Sequence, residues 1–168
     1  PYGREKGQDI VVDAYMQLTE EERKRISLTF VGSTEEKDDA VYNQVKKLAE
    51  QEDTIFLREP MSRRELFSLY CQADGVVVAS RQETLSMVAV ENMMFSKCVV
   101  ASSGAGISYY IEDGENGFCF ANENSRALAE CLHQLLCENN LFLEQLGEKA
   151  RKVYEEYFSM EVWTEKLK

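Results

Sequence analysis

With 168 residues, 44% hydrophobic and 29% charged, the chain has the length of one domain with one core and the composition of a soluble globular protein. A formal net charge of −11 argues against a nucleic-acid partner, and no apolar run approaches the length of a membrane span or reads as a signal peptide. Five cysteines (Cys71, Cys98, Cys119, Cys131, Cys137) without a CxxC pair read as reduced, buried, small apolar residues of a cytoplasmic chain, and a single histidine, His133, argues against zinc.

Residues 1–6 are polar and turn-like. Residues 9–18 have helical spacing, with Ile10, Ala14 and Leu18 four apart and Val11 beside them. Thr19 and Glu22 form a capping-box pattern. Residues 26–32 read as a strand. An acidic connection over residues 33–38 precedes a helix marked by Val41, Val45 and Leu48. Asp38 and Asp39 are adjacent aspartates, read as a solvated face. Residues 54–57 read as a strand, and Ser62 with Glu65 opens a capped helix to Gln72.

Residues 73–102 then form the most apolar stretch. Residues 75–79 read as a strand covered on both faces. Ser80, Arg81 and Gln82 break it. Residues 84–95 read as a helix with almost no polar face, buried nearly all round. Val99 and Val100 start the next strand. This is a strand–helix–strand unit with a right-handed parallel crossover. Farther on, Gly104 and Gly106 mark a loop, residues 107–111 a short helix, Gly114 and Gly117 a turn, and residues 118–120 a short strand. Leu128, Leu132 and Leu135 carry a helix that includes His133, which reads as structural. Residues 143–158 make the last long helix. Strands alternate with helices throughout, which predicts a Rossmann-like, doubly wound parallel α/β sheet.

Two carboxylates interrupt the central unit. Glu83 falls in the turn before the apolar helix, where a negative charge is favoured. Glu91 falls inside it, on the order of 9 Å beyond the helix start, with Met87, Val88, Met94 and Phe95 as helical neighbours. A carboxylate in that company requires a partner. One reading is a basic or backbone partner within the fold. The other is that both carboxylates face a hydroxyl-rich ligand at the carboxyl ends of the strands, where open parallel sheets bind ligands.

The spacing Glu83-x7-Glu91 in ETLSMVAVENM resembles the E-x7-E motif of retaining glycosyltransferases of the GT-B fold, most closely glycosyltransferase family 4. KGQD at residues 6–9 resembles the family's entry to its first helix, and Phe30, Val31 and Gly32 resemble its "VG" strand end. The run through Glu65, Leu69, Tyr70, Ala73 and Asp74, the GAGI at residues 104–107, and Asp113, Gly114, Asn116 and Gly117 resemble further family segments in order. The resemblance covers essentially the whole chain. It implies one donor-binding domain over residues 1–168, half of a GT-B fold, that binds an NDP-sugar (UDP- or GDP-linked) without a metal. The full protein would move a hexosyl group to an acceptor such as a glycan or lipid, as in polysaccharide biosynthesis.

Residue by residue, the resemblance implies that Glu91 takes the ribose hydroxyls and that Glu83 binds the donor sugar near the reacting carbon. Backbone N–H groups of Leu85, Ser86 and Met87 would face the diphosphate or the sugar. Lys6 would stabilise the leaving diphosphate as a point charge. Arg58 would lie beside the base, with Ser80 and Gly104 lining the pocket. Arg4 either binds phosphate or occupies the variable loop before the KG pair. Leu85 and Ser86 replace the frequent Phe-Gly, Asn92 the usual Ala, and Ala79 a common Pro. In the family a strand precedes the KG segment and sits centrally in the order 3-2-1-4-5-6. That strand and an N-terminal acceptor domain are expected upstream of Pro1. Without the strand the sheet should have a gap in its middle. Val162, Trp163 and Leu167 read as one apolar face, either core or a contact for that absent domain. The competing reading of the whole chain is a non-catalytic Rossmann-like interaction domain.

Overall fold

The computed structural model describes residues 2–33 and 39–166. The centre of the acidic connection, Asp38 included, and Leu167 lie outside the described residues. A 3-10 turn, Arg4–Lys6, leads through Gly7 into α1 (Gln8–Gln17) and the short α2 (Glu20–Arg23). Then follow β1 (Leu28–Val31), α3 (Ala40–Gln51), β2 (Ile55–Arg58), α4 (Arg63–Gln72) and β3 (Gly75–Val78). Next come α5 (Met87–Met94), β4 (Cys98–Ser102), a 3-10 turn (Gly106–Tyr110) and β5 (Phe118–Phe120). Helices α6 (Ser125–Cys137), α7 (Asn140–Tyr157) and α8 (Met160–Lys166) complete the chain.

Local chemistry sets several of these boundaries. Both expected capping boxes form: Thr19 and Glu22 start α2, and Ser62 and Glu65 start α4. The Asp39 side chain accepts from the Tyr42 N–H at 2.8 Å and caps α3, so this aspartate starts a helix rather than lying on a solvated face.

Every ladder is parallel, as the alternation of strands and helices predicts. β1 pairs with β2 from Leu28↔Ile55 to Val31↔Arg58. β4 lies between β3, in register from Gly75↔Cys98, and β5, in register from Val100↔Phe118. The sheet is split: among the described residues no ladder joins the β1–β2 pair to the β3–β4–β5 trio. What unites the halves is α1, which packs on α3 on one side and α6 on the other. Its Ile10, Val11, Ala14 and Tyr15 enter the same core as Ile55, Val100 and Phe118.

Side chains on β4 alternate between two cores. Cys98 and Val100 join the α1 and α6 side, while Val99 and Ala101 join Val90, Met93 and Ile107 under α5 and α7. Covered on both faces, β4 is buried throughout. β3, expected to be covered on both faces, is not: Gly75 is exposed and Val76 and Val77 are only half-buried, and β1 is partly exposed as well.

The cysteines depart from expectation. All five are free, but only Cys98 is buried; Cys119 and Cys131 are half-buried, and Cys71 and Cys137 are exposed. The two exposed ones sit near the ends of α4 and α6. His133 pairs through Nδ1 with the Glu22 carboxylate, tying α6 to α2.

Candidate functional site

The site begins where β3 ends. Gly7 has φ 70°, and a Cβ there would lie 1.9 Å from the Ala79 carbonyl oxygen, so only glycine lets the 4–7 turn rest on the chain leaving β3. That close approach brings Lys6 to the acidic turn: Lys6 Nζ is 3.3 Å from Glu83 Oε1. Ser80, itself buried, donates to Glu83 Oε2 at 2.6 Å, a short bond of the charge-assisted kind. Behind them the Glu83 N–H donates to the Gly104 carbonyl at 3.1 Å, and the Gly106 N–H donates to the Glu83 carbonyl at 2.8 Å. A Cβ on Gly104 would meet the Arg81 carbonyl oxygen at 2.3 Å. Lys6, Ser80, Glu83 and Gly104, distant in sequence, therefore converge.

Arg81, expected only to break the strand, locks this corner. Its guanidinium makes a bidentate pair with Asp9, at 2.9 and 2.7 Å. It also bonds Glu123 Oε1 at 2.6 Å and the Arg4 carbonyl oxygen. Its side chain is only 15% exposed. Burial pushes the Asp9 carboxyl up, but the Arg81 hydrogen bonds and charge outweigh it and hold Asp9 below the usual carboxylate range. The signal missed in the sequence was Asp9 itself, an acid on the first turn of α1 that needed a buried cation.

The helix expected over residues 84–95 begins later, at Met87. The reason is tertiary. The Glu83 and Leu85 carbonyls are taken by the N–H groups of Gly106 and Ile107, so residues 83–85 run beside the 104–107 loop instead of coiling. Ser86 then turns the chain at φ 83° and caps α5, its hydroxyl accepting from the Ala89 N–H. Glu91 consequently lies about 6 Å from the helix start, not 9 Å. The helix is not buried all round either: Met87 and Val88 are 60% and 42% exposed at its mouth.

Glu91 does have partners, as its apolar neighbours require. Oε1 receives Arg63 Nη2 at 3.2 Å, and Oε2 receives the Tyr70 hydroxyl at 3.1 Å. Burial, and after it the neighbouring carboxylate, pushes the Tyr70 phenol well above its ordinary value. Glu91 is 15% exposed, whereas Arg63 is 74% exposed. The two carboxylates therefore have separate partner sets.

Of the remaining candidates, Leu85 is half-buried and Ser86 buried beneath the α5 mouth. Arg58 ends β2, exposed, with its guanidinium 5.9 Å from the Phe56 ring centroid. Arg4 is exposed and gives its carbonyl to Arg81. Asn92, the departure from alanine, is fully buried, and its Nδ2 donates to the Val88 carbonyl at 2.9 Å. Clefts of about 570 and 280 Å³ lie elsewhere, by Arg151, Met160 and Val162 and by Glu22 and His133, and neither contains a residue expected to bind the donor. Among the described residues no group of three or more acidic, His or Cys side chains is placed to hold a metal ion, and no helix is long and apolar enough to cross a membrane.

Residues 2–153 match the family described as glycosyl transferases group 1. The chain belongs to that family. This group 1 glycosyl transferase chain is 30% identical over 151 residues to a D-inositol 3-phosphate glycosyltransferase of Streptomyces bingchenggensis, covering 86% of the chain and 33% of the relative. It thus spans about a third of that curated relative's length. Its fold matches Anabaena HepE in complex with UDP and glucose, at TM-score 0.84 and 23% identity over 99% of the chain and 44% of HepE. It also matches the C-terminal domain of a group 1 family protein, LpcC, from Francisella tularensis. There the TM-score is 0.82 with 19% identity, covering 95% of this chain and 83% of that domain. These similarities show the Rossmann-like α/β fold of GT-B C-terminal domains.

Proposed function

We propose that the group 1 glycosyl transferase chain is the donor-binding half of a retaining enzyme that moves a hexosyl group from an NDP-sugar to a glycan or lipid acceptor. Upstream sequence of the same parent protein supplies the strand that fills the break between β1 and β3, and the acceptor half beyond it. The observation that carries this reading is the convergence of Lys6, Ser80 and Glu83 at the carboxyl end of β3, where a parallel sheet presents ligands.

In this reading Glu83 binds hydroxyls of the donor sugar and Lys6 neutralises the diphosphate. N–H groups from Leu85 to Met87 face the phosphates at the mouth of α5. Glu91 takes the ribose diol, Arg58 lies beside the base, and Ser80 and Gly104 line the pocket. The bond from C1 of the sugar to the diphosphate breaks as an acceptor oxygen bonds C1 from the same face. The acceptor proton passes to the departing phosphate oxygen. The chain's contribution is stabilisation of charge on that leaving group, with no step assigned to a metal. Free cysteines suit a reducing cytoplasm, with any membrane contact made peripherally through the acceptor half.

UDP is the favoured nucleotide, because HepE is described in complexes with UDP and UDP-glucose. Calorimetric titration with UDP-glucose and a GDP-sugar tests the reading. Binding of UDP-glucose, weakened about tenfold in Lys6→Ala by loss of one charge-assisted contact, is expected. No binding of either donor by a folded sample extended to include the upstream strand overturns it.

A further inference from the structure

The partners of Glu91 are unequal. Tyr70 is buried, its ring held against Phe67 and Phe95 with centroids 6.1 Å from each. Its hydroxyl has little freedom to leave Oε2. Arg63 reaches Oε1 from solvent through one nitrogen at 3.2 Å, longer than a tight charge-assisted bond. An exposed single-point pair of this kind contributes little. Helix α4 does not need the cation either. Arg63 is the first residue of α4, at the positive end of the helix dipole, where arginine is disfavoured. The guanidinium also has a second seat, because it already lies 5.3 Å from the Phe67 ring centroid. It can release Glu91 and keep that contact.

We propose that Arg63 competes with the ligand's vicinal diol for the Glu91 carboxylate. The arginine yields Oε1 to a ribose hydroxyl and withdraws over Phe67, while Tyr70 keeps Oε2 in place. This rests on the reading that Glu91 receives ribose. Every diol must displace the arginine, so apparent affinity is lowered by the fraction of time that Arg63 holds the carboxylate. A ligand without the diol gains nothing from displacing it. Arg63 thereby lowers the affinity of diol-bearing donors selectively and damps the preference for ribonucleotides. Tyr70 is a positioning residue, holding the acceptor atoms without contacting the ligand.

NMR titration of the chain, extended to include the upstream strand, with uridine and with 2′,3′-dideoxyuridine separates the possibilities. Neither probe carries phosphate, so loss of a positive charge does not itself weaken binding. The wild-type chain is expected to prefer uridine. Arg63→Gln is expected to tighten uridine about threefold, the scale of an exposed ion pair, and to leave dideoxyuridine unchanged. Tyr70→Phe is expected to lower uridine affinity towards that of dideoxyuridine. If wild type prefers uridine but Arg63→Gln weakens uridine or leaves it unaltered, the competition is wrong and the ribose reading stands. If wild type does not distinguish the two nucleosides, or binds neither, the ribose reading fails and the competition with it. Full diol preference in Tyr70→Phe removes the positioning role.

Discussion

Glu83 and Glu91 stand on one continuous segment with seven residues between them, yet the fold treats them differently. Around Glu83 one contact is short and comes from a buried serine, and Lys6 adds a longer one at 3.3 Å from across the chain. Ser80 lies at 2.6 Å, and the neighbouring Arg81–Asp9 pair is bidentate. Around Glu91 neither contact is as short as that of Ser80, and one comes from an arginine in solvent. In the proposed function the difference follows the chemistry. The carboxylate near the reacting carbon has to be fixed within a fraction of an ångström. The one that recognises the ribose has to exchange partners each time a donor enters or leaves.

The largest test of that contrast is Arg81→Ala. It removes both nitrogens from Asp9 and the contact to Glu123, leaving a mostly buried carboxylate with only the backbone N–H groups of Asp9 and Ile10. Loss of one partner of a buried pair costs about 3–5 kcal/mol. With 15% and 24% of the two side chains exposed, roughly 3 kcal/mol is expected, read as a lower urea midpoint at unchanged slope. A loss below about 1 kcal/mol, the range of exposed pairs, would mean that the Glu83 corner is no more rigid than the other.

The same pair predicts a pH dependence. Burial raises the Asp9 carboxyl, but Arg81 lowers it further, so its folded value lies below the unfolded one. The resulting stability is present above about pH 4, the unfolded aspartate value, and is lost as pH falls through the lowered folded value. Urea titrations from pH 6 downwards should show this acid slope in wild type and a shallower one in Arg81→Ala. Equal slopes would remove Asp9 as a linked group.

How much of this was legible depended on the distance over which each contact acts. The capping boxes at Thr19 and Ser62 were plain, since each closes within four residues. The strand at β4 was marked by Val99 and Val100, but cover on both faces, expected of residues 75–79, belongs to β4 instead. The pairing of Lys6 with Glu83 spans 77 residues, and only the family resemblance placed the two together. The late start of α5 was hidden because residues 84–86 are compatible with a helix. What prevents it is the use of the Glu83 and Leu85 carbonyls by the 106–107 backbone. Arg81 looked like any charged turn residue, because its acidic partners lie 72 and 42 positions away. Exposure of Met87 and Val88 was equally invisible, since hydrophobicity does not reveal which end of a helix forms a rim.

Ser86 gives a smaller effect of opposite sign. Its φ of 83° and ψ of 97° are strained for a residue with a Cβ, at about 1–3 kcal/mol. Ser86→Gly removes the strain, gives up a weak cap worth a few tenths of a kcal/mol, and adds about 0.5–1 kcal/mol of unfolded-chain entropy. A net gain of about 1 kcal/mol is expected in the urea midpoint. A loss would show that the α5 mouth depends on the serine hydroxyl rather than tolerating it.

Arg63→Ala should produce the smallest change, and it is the direct counterpart of Arg81→Ala. Both remove an arginine from a carboxylate of low exposure. Arg63 carries its charge 74% exposed and leaves Glu91 with the Tyr70 hydroxyl, whereas Arg81 leaves Asp9 without its buried cation. The exposed pair is worth about 0.2–1 kcal/mol, and removal of a cation from the first turn of α4 returns a few tenths through the helix dipole. The two terms nearly cancel, so the urea midpoint should shift by less than about 0.5 kcal/mol in equivalent stability. A loss comparable to that of Arg81→Ala would mean that Glu91 is bound into the structure as firmly as its neighbours. An arginine held that strongly could not give way to a diol.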